Sequence, residues 1–212
     1  MKITDKLTIT NEDNIALMSR YPDNYFELAI VDPPYGIGAG VSKTGGPSKH
    51  NSMSRLKAST LIYKDVKPNR VYFDELFRVS KNQIIWGGNY MIENLLNTRC
   101  FVVWDKMTYI PSMSQIEMAW TSFNTHSQLV KINSNQEGRI HISQKPTKLY
   151  KWLLDKYAKD GDKILDTHLG SGSIALACHD YGFELTACEL DAEYYEKAVE
   201  RIKNHVAQQK LF

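Results

Sequence analysis

The sequence predicts an open, mostly parallel α/β sheet with helices on both faces, which is a Rossmann-like arrangement. Residues 28–31 and 83–86 form short apolar runs, typical of strands that are covered on both faces of a parallel sheet. Strand-like and helix-like segments also alternate at both ends of the chain, as they do in βαβ units. At 212 residues the chain suits one folded unit, and we expect a single domain over residues 1–212.

Local patterns predict the individual elements. Apolar or alternating segments indicate strands at residues 6–10, 28–31, 83–86, 101–104, 116–120, 128–132, 163–166 and 184–189. Helical spacing predicts a first helix that is capped by Asn11 and ends near Tyr21, and a second over residues 147–158 with Thr147 as its cap. Two more helices are expected at residues 171–181 and 191–208. The absence of an internal repeat argues against a solenoid.

The composition excludes several classes of protein. The net charge is only +2, so affinity for phosphate groups has to come from local clusters of basic residues. The three cysteines form no C-x-x-C pair, and they indicate neither a disulfide framework nor a metal site. No segment has the apolar length of a signal peptide or a membrane span. We therefore expect a cytoplasmic protein without metal or membrane association.

Residues 36–64 differ from the rest of the chain. They are rich in Gly, Ser and Thr and contain no acidic residue. Their basic residues are Lys43, Lys49, Arg55, Lys57 and Lys64. Such a composition is typical of a solvated surface loop, and it equally suits a loop that contacts nucleic-acid phosphates beside an active site. Both interpretations stay open.

Two acidic residues stand at the ends of predicted strands near the C-terminus. Asp166 is followed by a turn that contains Gly170, Ser171 and Gly172 and leads into a helix, so that a ligand can approach the backbone closely. Glu189 ends the next strand about 20 residues later, where an acid commonly accepts the hydroxyls of a ribose. The pair predicts an adenosine-type cofactor. The full G-x-G-x-x-G pattern is missing, which counts against NAD, and such glycine turns also occur without any ligand.

A second motif, Asp32-Pro33-Pro34-Tyr35, follows the strand at residues 28–31 directly. The amino group of a nucleobase is a poor nucleophile, because its lone pair is delocalised into the ring, and it needs acceptors for its hydrogens. The Asp32 carboxylate and the Pro33 carbonyl can supply them, with Pro34 stiffening the turn. Tyr35 can stack on a base that has been flipped out of the duplex. In another context the same four residues would be only a proline turn.

With these motifs the chain resembles the amino-group DNA methyltransferases, which modify adenine N6 or cytosine N4. Because Asp32 precedes Asp166 in the chain, it is most similar to their circularly permuted beta group, in a small phage- or prophage-like form. The resemblance implies a class I methyltransferase fold with a seven-stranded sheet, S-adenosylmethionine as cofactor, and a role in DNA modification such as restriction–modification.

The resemblance also assigns roles to residues. It implies that Asp32, Pro33, Pro34 and Tyr35 are catalytic, and that the cofactor is bound by Asp166, His168, Gly170, Ser171, Gly172, Glu189 and Lys145. Within that set Glu189 would bind the ribose. Lys145, from the pair Lys145-Pro146, would bind the methionine carboxylate. The family usually has Pro and Phe where this chain has Thr167 and His168, which puts an aromatic contact to the cofactor in doubt.

The first residue of the catalytic motif is Asp rather than Ser, the family pattern associated with adenine N6. We therefore expect a site-specific adenine methyltransferase that acts on double-stranded DNA. The alternatives are cytosine N4 methylation, adenine methylation of RNA, and a catalytically silent nucleic-acid-binding module. Target recognition is expected from residues 36–64 and within residues 105–143, which include Lys106, Tyr109, Lys131, Asn133, Asn135 and Arg139. Residues 86–90 could wall the base pocket, and a homodimer is possible.

Overall fold

The computed structural model describes residues 1–37, 65–109, 111, 114–135, 138–140 and 143–208. These ranges contain one eight-stranded sheet. Its strands are β1 (Leu7–Asn11), β2 (Phe26–Val31), β3 (Ser80–Trp86), β4 (Phe101–Asp105), β5 (Ile116–Thr121), β6 (Gln128–Lys131), β7 (Lys163–Asp166) and β8 (Glu184–Glu189). Their spatial order is β1-β8-β7-β2-β3-β5-β4-β6.

The sheet is mostly parallel, as predicted. The adjacent strands β1, β8, β7, β2 and β3 pair in parallel, in that spatial order. Strand β5 alone is antiparallel to its neighbours β3 and β4. All eight segments with a strand-like pattern form strands. The count of seven that the resemblance implied is one too low for the described residues, because β6 adds an edge strand that pairs in parallel with β4.

Five α-helices cover the sheet in the described ranges. They are α1 (Asn14–Met18), α2 (Arg70–Val79), α3 (Thr147–Tyr157), α4 (Ser173–Tyr181) and α5 (Ala192–Gln208). Two 3₁₀ turns, Gly88–Tyr90 and Ile92–Asn94, follow β3. Helix α2 was not predicted. It begins after Asn69, whose side chain accepts a hydrogen bond from the amide of Tyr72.

Three predicted helix starts need correction. Asp13, not Asn11, caps α1 by accepting from two first-turn amides; Asn11 ends β1, and its side chain donates to the Glu189 carbonyl. Helix α3 begins after Pro146, and Thr147 is its first residue rather than its cap. Helix α4 begins at Ser173 instead of residue 171, because Gly172 occupies the left-handed region at φ 75° and ends the preceding turn.

The core lies in two layers, one on each face of the sheet. On one face, residues of α3, α4 and α5 pack against alternate strand residues such as Ile30 and Trp86. On the other face, α1 and α2 cover the intervening residues, including Val31 and Ile85. The alternation follows from the period of two along a strand. Since β8, β7, β2 and β3 are parallel, their carboxyl ends meet at one edge of the sheet.

Two further features concern the outside of the molecule. No helix in the ranges that the structure covers is long and apolar enough to cross a bilayer. Met1 lies against α5, where it lines a surface hollow together with Lys203 and Asn204. The beginning of the chain therefore lies beside its last described helix.

Candidate active site

Asp32 follows the last residue of β2, and both of its carboxylate oxygens accept hydrogen bonds. The Tyr35 hydroxyl donates to Oδ1 at 2.6 Å, and the Lys145 ammonium donates to Oδ2 at 2.5 Å. Lys145 also donates to the Tyr35 hydroxyl oxygen at 3.2 Å. The catalytic motif and Lys145 therefore form one hydrogen-bonded group, although they are 110 or more residues apart in the chain.

The local backbone explains how Tyr35 reaches this position. Pro33 and Pro34 have no amide hydrogen, so the β2 ladder cannot continue through them. The Tyr35 ring lies against Gly87, where a Cβ atom would stand 2.2 Å from the ring, and the backbone of Gly87 is left-handed at φ 66°. On the solvent side the ring stacks with Tyr90, with centroids 5.3 Å apart and an interplanar angle of 21°.

Lys145 is deeply buried, with only 3% of its surface exposed. A second carboxylate, that of Glu117 on β5, lies 3.5 Å from its ammonium, and the other Glu117 oxygen lies 3.5 Å from Lys106. Burial acts to lower the pKa of Lys145, but the attraction of Asp32 and Glu117 outweighs it and raises that pKa above its usual value. Lys145 is therefore charged at neutral pH.

The indole of Trp86 lies beneath this ion pair. Its ring centroid is 5.2 Å from the Lys145 ammonium, a distance suited to a cation–π interaction. The side chain is fully buried, and its Nε1 has no hydrogen-bond partner among the residues that can be described. Of the residues 86–90, which were expected to wall a base pocket, Trp86 lies buried under Lys145 and Tyr90 stacks on Tyr35 at the surface.

Strand register explains why these side chains meet. Ile30 of β2 pairs with Ile84 of β3, so Asp32 and Trp86, each two residues further along, lie on the same face of the sheet. Ala119 of β5 pairs with Trp86, which places Glu117 on that face too. The sequence did not single out Glu117. An acidic residue inside a strand was the available signal, but its face depends on a pairing that the sequence does not show.

The glycine turn after β7 forms a second group of predicted residues. Asp166 is 2% exposed, and its Oδ1 accepts from the His168 amide at 2.9 Å. Burial raises the pKa of Asp166 to about 8, so the carboxyl is largely protonated at neutral pH. Arg201 of α5 donates to the Ser171 carbonyl, and a Cβ atom on Gly172 would lie 3.0 Å from Ile202. Helix α5 therefore packs closely against this turn.

Glu189 closes the turn from the neighbouring strand. Its two carboxylate oxygens accept from the amides of Gly170 at 2.8 Å and Asp191 at 3.0 Å, and burial raises its pKa. Each oxygen keeps a further lone pair for a ligand hydroxyl. Helix α4 has no side-chain cap at its start, so its first amides are also available. This donor and acceptor set fits an adenosine-type cofactor.

Thr167 and His168 belong to a chain of polar contacts, buried at Thr167 and partly exposed at His168, rather than to an aromatic surface. The Thr167 hydroxyl is 2.7 Å from the Tyr72 hydroxyl and 3.0 Å from His168 Nδ1, and His168 Nε2 is 3.2 Å from Asn14 Nδ2. Burial lowers the pKa of His168 to about 4, so the ring is neutral at physiological pH. The contacts indicate that His168 ties the turn to α1 and α2.

The structure therefore brings the predicted residues together at one sheet edge, in two groups. The first is Asp32, Pro33, Pro34 and Tyr35 with Lys145; the second is Asp166, His168, Gly170, Ser171, Gly172 and Glu189. Lys145 was predicted to join the cofactor set, and the structure places its ammonium on Asp32. Apart from Gly36 and Ile37, the basic segment 36–64 lies outside the described residues. In the described ranges no cluster of three His, Cys, Asp or Glu side chains is arranged to hold a metal ion.

Comparison with known proteins gives consistent matches. A family model described as DNA methylase matches residues 63–200. The Type II methyltransferase M1.MboII of Moraxella bovis is 23% identical over 164 residues, which are 76% of this chain and 56% of that protein. The chain thus spans little more than half the length of this relative.

Solved structures show the same fold at low sequence identity. One described as the M1.HpyAVI–SAM complex has a TM-score of 0.59 and 16% identity, covering 92% of this chain and 98% of the other. The PvuII DNA methyltransferase, described as cytosine-N4-specific, has a TM-score of 0.62 and 12% identity, with 94% and 91% covered. These similarities confirm the predicted Rossmann-like class I methyltransferase fold.

Proposed function

Since this chain belongs to the DNA methylase family of N6- and N4-methyltransferases, we propose that it methylates adenine N6 in double-stranded DNA, with S-adenosylmethionine as the methyl donor. The observation that carries the proposal is the shared sheet edge. There the Asp32 carboxylate, with Tyr35 against it, stands at the end of β2, while the glycine turn and Glu189 stand at the ends of β7 and β8. Ligands of open α/β sheets bind at such an edge.

The residues at the glycine turn fit the proposed cofactor. When bound, S-adenosylmethionine supplies a methyl group made electrophilic by its sulfonium. Glu189 would accept the ribose hydroxyls, while Gly170, Ser171 and Gly172 let the ligand approach the backbone. Asp166 and His168 shape the turn from within the core. Lys145 has three N–H donors, so it can serve the methionine carboxylate while it also contacts Asp32 or Glu117.

Asp32 would act on the target base. Its carboxylate would accept a hydrogen bond from one N–H of the exocyclic amino group, and the Pro33 carbonyl one from the other N–H, which localises the nitrogen lone pair for attack. As the N–C bond forms, the bond between the methyl group and sulfur breaks, and the nitrogen releases one proton to solvent. The Tyr35 ring would stack on the flipped base once Tyr90, which now covers its solvent side, gives way. Because the transfer needs little beyond alignment and exclusion of water, positioning by these groups accounts for most of the proposed acceleration.

Adenine is favoured by Asp at the first position of the motif, where the cytosine N4 pattern has Ser. Cytosine N4 is the second candidate, because the matching family includes both activities. Target recognition is proposed for the loops that flank β5 and β6 within residues 105–143. The exposed Tyr109 is 80% accessible there. The homodimer, the cytoplasmic location, the phage-like type, and the role of residues 36–64 stay predictions.

The proposed function is tested by incubating the purified protein with labelled S-adenosylmethionine and unmodified DNA, followed by nucleoside mass spectrometry. We expect label in N6-methyladenine. Label in N4-methylcytosine would favour the second candidate. RNA in a parallel reaction tests the RNA alternative. A protein that binds DNA, transfers no methyl group and shows no S-adenosylmethionine binding in calorimetry would be a silent nucleic-acid-binding module.

A further inference from the structure

Both oxygens of the Asp32 carboxylate already accept hydrogen bonds from within the protein. Tyr35 holds one oxygen at 2.6 Å and Lys145 holds the other at 2.5 Å. Under the proposed function, that carboxylate has to accept a hydrogen bond from the amino group of the target base. The target amine therefore competes with these two donors, and it gains the full acceptor strength of Asp32 when one of them moves away.

Lys145 is the donor whose movement has the larger electrostatic consequence. Its ammonium is buried, and a buried cation that loses its counter-ion is strongly destabilising. Removing it from Asp32 requires a second anion within reach. Among the residues that the structure describes, Glu117 meets this condition at 3.5 Å from the ammonium.

Glu117 is itself held in place. Its other carboxylate oxygen lies 3.5 Å from Lys106, whose ammonium stands 5.7 Å from the Trp104 ring. Four charges thus alternate in sign along the same sheet face, from Lys106 through Glu117 and Lys145 to Asp32. The Trp86 ring beneath Lys145 further stabilises a cation at this place.

From this arrangement we infer that Glu117 is a positioning residue of methyl transfer: it receives the Lys145 ammonium when the target amino group replaces Lys145 on Asp32. The inference rests on the proposed function and deepens it. Glu117 does not touch the base in this scheme. It acts through Lys145, and it makes the Asp32 carboxylate available without leaving a buried cation unpaired.

The test is the single-turnover rate of methyl transfer at saturating S-adenosylmethionine and DNA, measured for Glu117→Gln. This variant keeps the size of the side chain and removes its charge, so Lys145 remains on Asp32. We expect the rate to fall at least tenfold while the dissociation constants for cofactor and DNA change less than threefold. Glu117→Asp retains the charge and is expected to recover much of the rate. Glu184→Gln, an exposed acid of β8, is the matched control and should behave like the wild type.

A double-mutant cycle separates positioning from a merely structural role. In a Lys145→Met background, Glu117→Gln should change the rate less than twofold, because the ammonium that Glu117 receives is gone. If the wild type is active, either of two results would overturn the inference. One is an equal effect of Glu117→Gln on the rate in both backgrounds, and the other is a rate of Glu117→Gln equal to that of Glu184→Gln. A wild-type protein that transfers no methyl group to any nucleic acid would overturn the proposed function, and the inference with it.

Discussion

At the scale of single residues, Asp32 is the group on which the proposed chemistry depends. Asp32→Asn keeps the shape of the side chain and removes the charge that holds the target amine and Lys145. We expect transfer to fall by roughly 100-fold or more, the usual range for a lost positioned polar group. Cofactor affinity should change little, because the glycine turn is not altered. Radiometric transfer and calorimetry measure the two quantities.

Asp160→Asn is the matched control for this substitution, since Asp160 is exposed in the turn before β7. It should leave both transfer and cofactor affinity at wild-type levels. Undiminished transfer by Asp32→Asn would contradict the proposed role of the carboxylate. Loss of cofactor affinity together with transfer would show that Asp32 acts on the cofactor instead.

Asp166 makes stability depend on pH. Its pKa is raised to about 8 in the folded protein by burial, so the folded state binds the proton more tightly than the unfolded state, where the pKa is about 4. The free energy of unfolding therefore falls as pH rises from about 4 to about 8. Asp166→Asn removes this dependence and keeps an oxygen for the His168 amide.

We expect the stability of Asp166→Asn relative to the wild type to increase by about 2 kcal/mol between pH 5 and pH 7, measured by urea denaturation. The low pKa of His168 affects both proteins and cancels in the difference. Asp160→Asn should show no such trend. A difference that is independent of pH would mean that Asp166 is ionised in the folded state.

How far the site could be predicted differs from residue to residue. Asp32 and Glu189 were identifiable because each follows a strand signal directly, and strand ends mark ligand edges. Lys145 was identifiable through the resemblance, but its contact with Asp32 depends on the packing of a segment more than a hundred residues away. Glu117 was missed because its face is set by strand pairing.

At the scale of elements, the turn after β3 fixes the position of Tyr35. Gly87→Ala places a methyl group on the Tyr35 ring and puts alanine in a left-handed conformation that costs roughly 1 kcal/mol. We expect a total loss of about 2 to 4 kcal/mol in the free energy of unfolding. Transfer should also decrease, because Tyr35 can no longer occupy its place beside Asp32.

Gly161→Ala provides a matched control, because Gly161 is also left-handed, at φ 87°, and a Cβ atom there would meet nothing within 4 Å. It shares the backbone strain without the steric clash. It should lose only about 1 kcal/mol and retain transfer. Equal losses for the two variants in urea denaturation would show that the Tyr35 ring moves away without cost.

The elements themselves were largely predictable. All eight strands have an apolar or alternating pattern, and α3, α4 and α5 lie close to their predicted ranges. Helix α2 was missed although its buried residues, Tyr72, Phe73, Leu76 and Val79, have the spacing of an amphipathic helix and Asn69 is a suitable cap. The helix starts were displaced by one or two residues, because the caps depend on φ angles that the sequence only suggests.

At the scale of the whole molecule, the beginning of the chain lies close to its last described helix, so we expect the fold to tolerate a different opening of the chain. Met1 lies beside Lys203 and Asn204 of α5. A rearranged chain can be made by joining the two ends through a flexible Gly/Ser linker and opening the chain between Asp160 and Gly161. We expect this chain to form the same sheet. It would begin with β7 and carry the glycine turn before the catalytic motif.

Circular dichroism and the shift of the melting temperature by S-adenosylmethionine measure this outcome. The new chain should melt within roughly 10 °C of the original and respond to the cofactor. A chain opened between Gly87 and Gly88 is the comparison, since that cut releases the contact with Tyr35. If the chain opened between Asp160 and Gly161 does not fold, the order of the strands along the chain matters for folding.

The indole N–H of Trp86, which has no hydrogen-bond partner within the described part of the chain, has an optical consequence. Indole fluorescence responds to nearby charge and to hydrogen bonding. The indole nitrogens of Trp104 and Trp120 are fixed by donating to the Ile132 and Leu96 carbonyls, whereas Trp86 lies under a cation that is proposed to move. Its emission should therefore change colour or intensity as Lys145 passes from one carboxylate to the other, so that the protein carries an intrinsic reporter of its own active site.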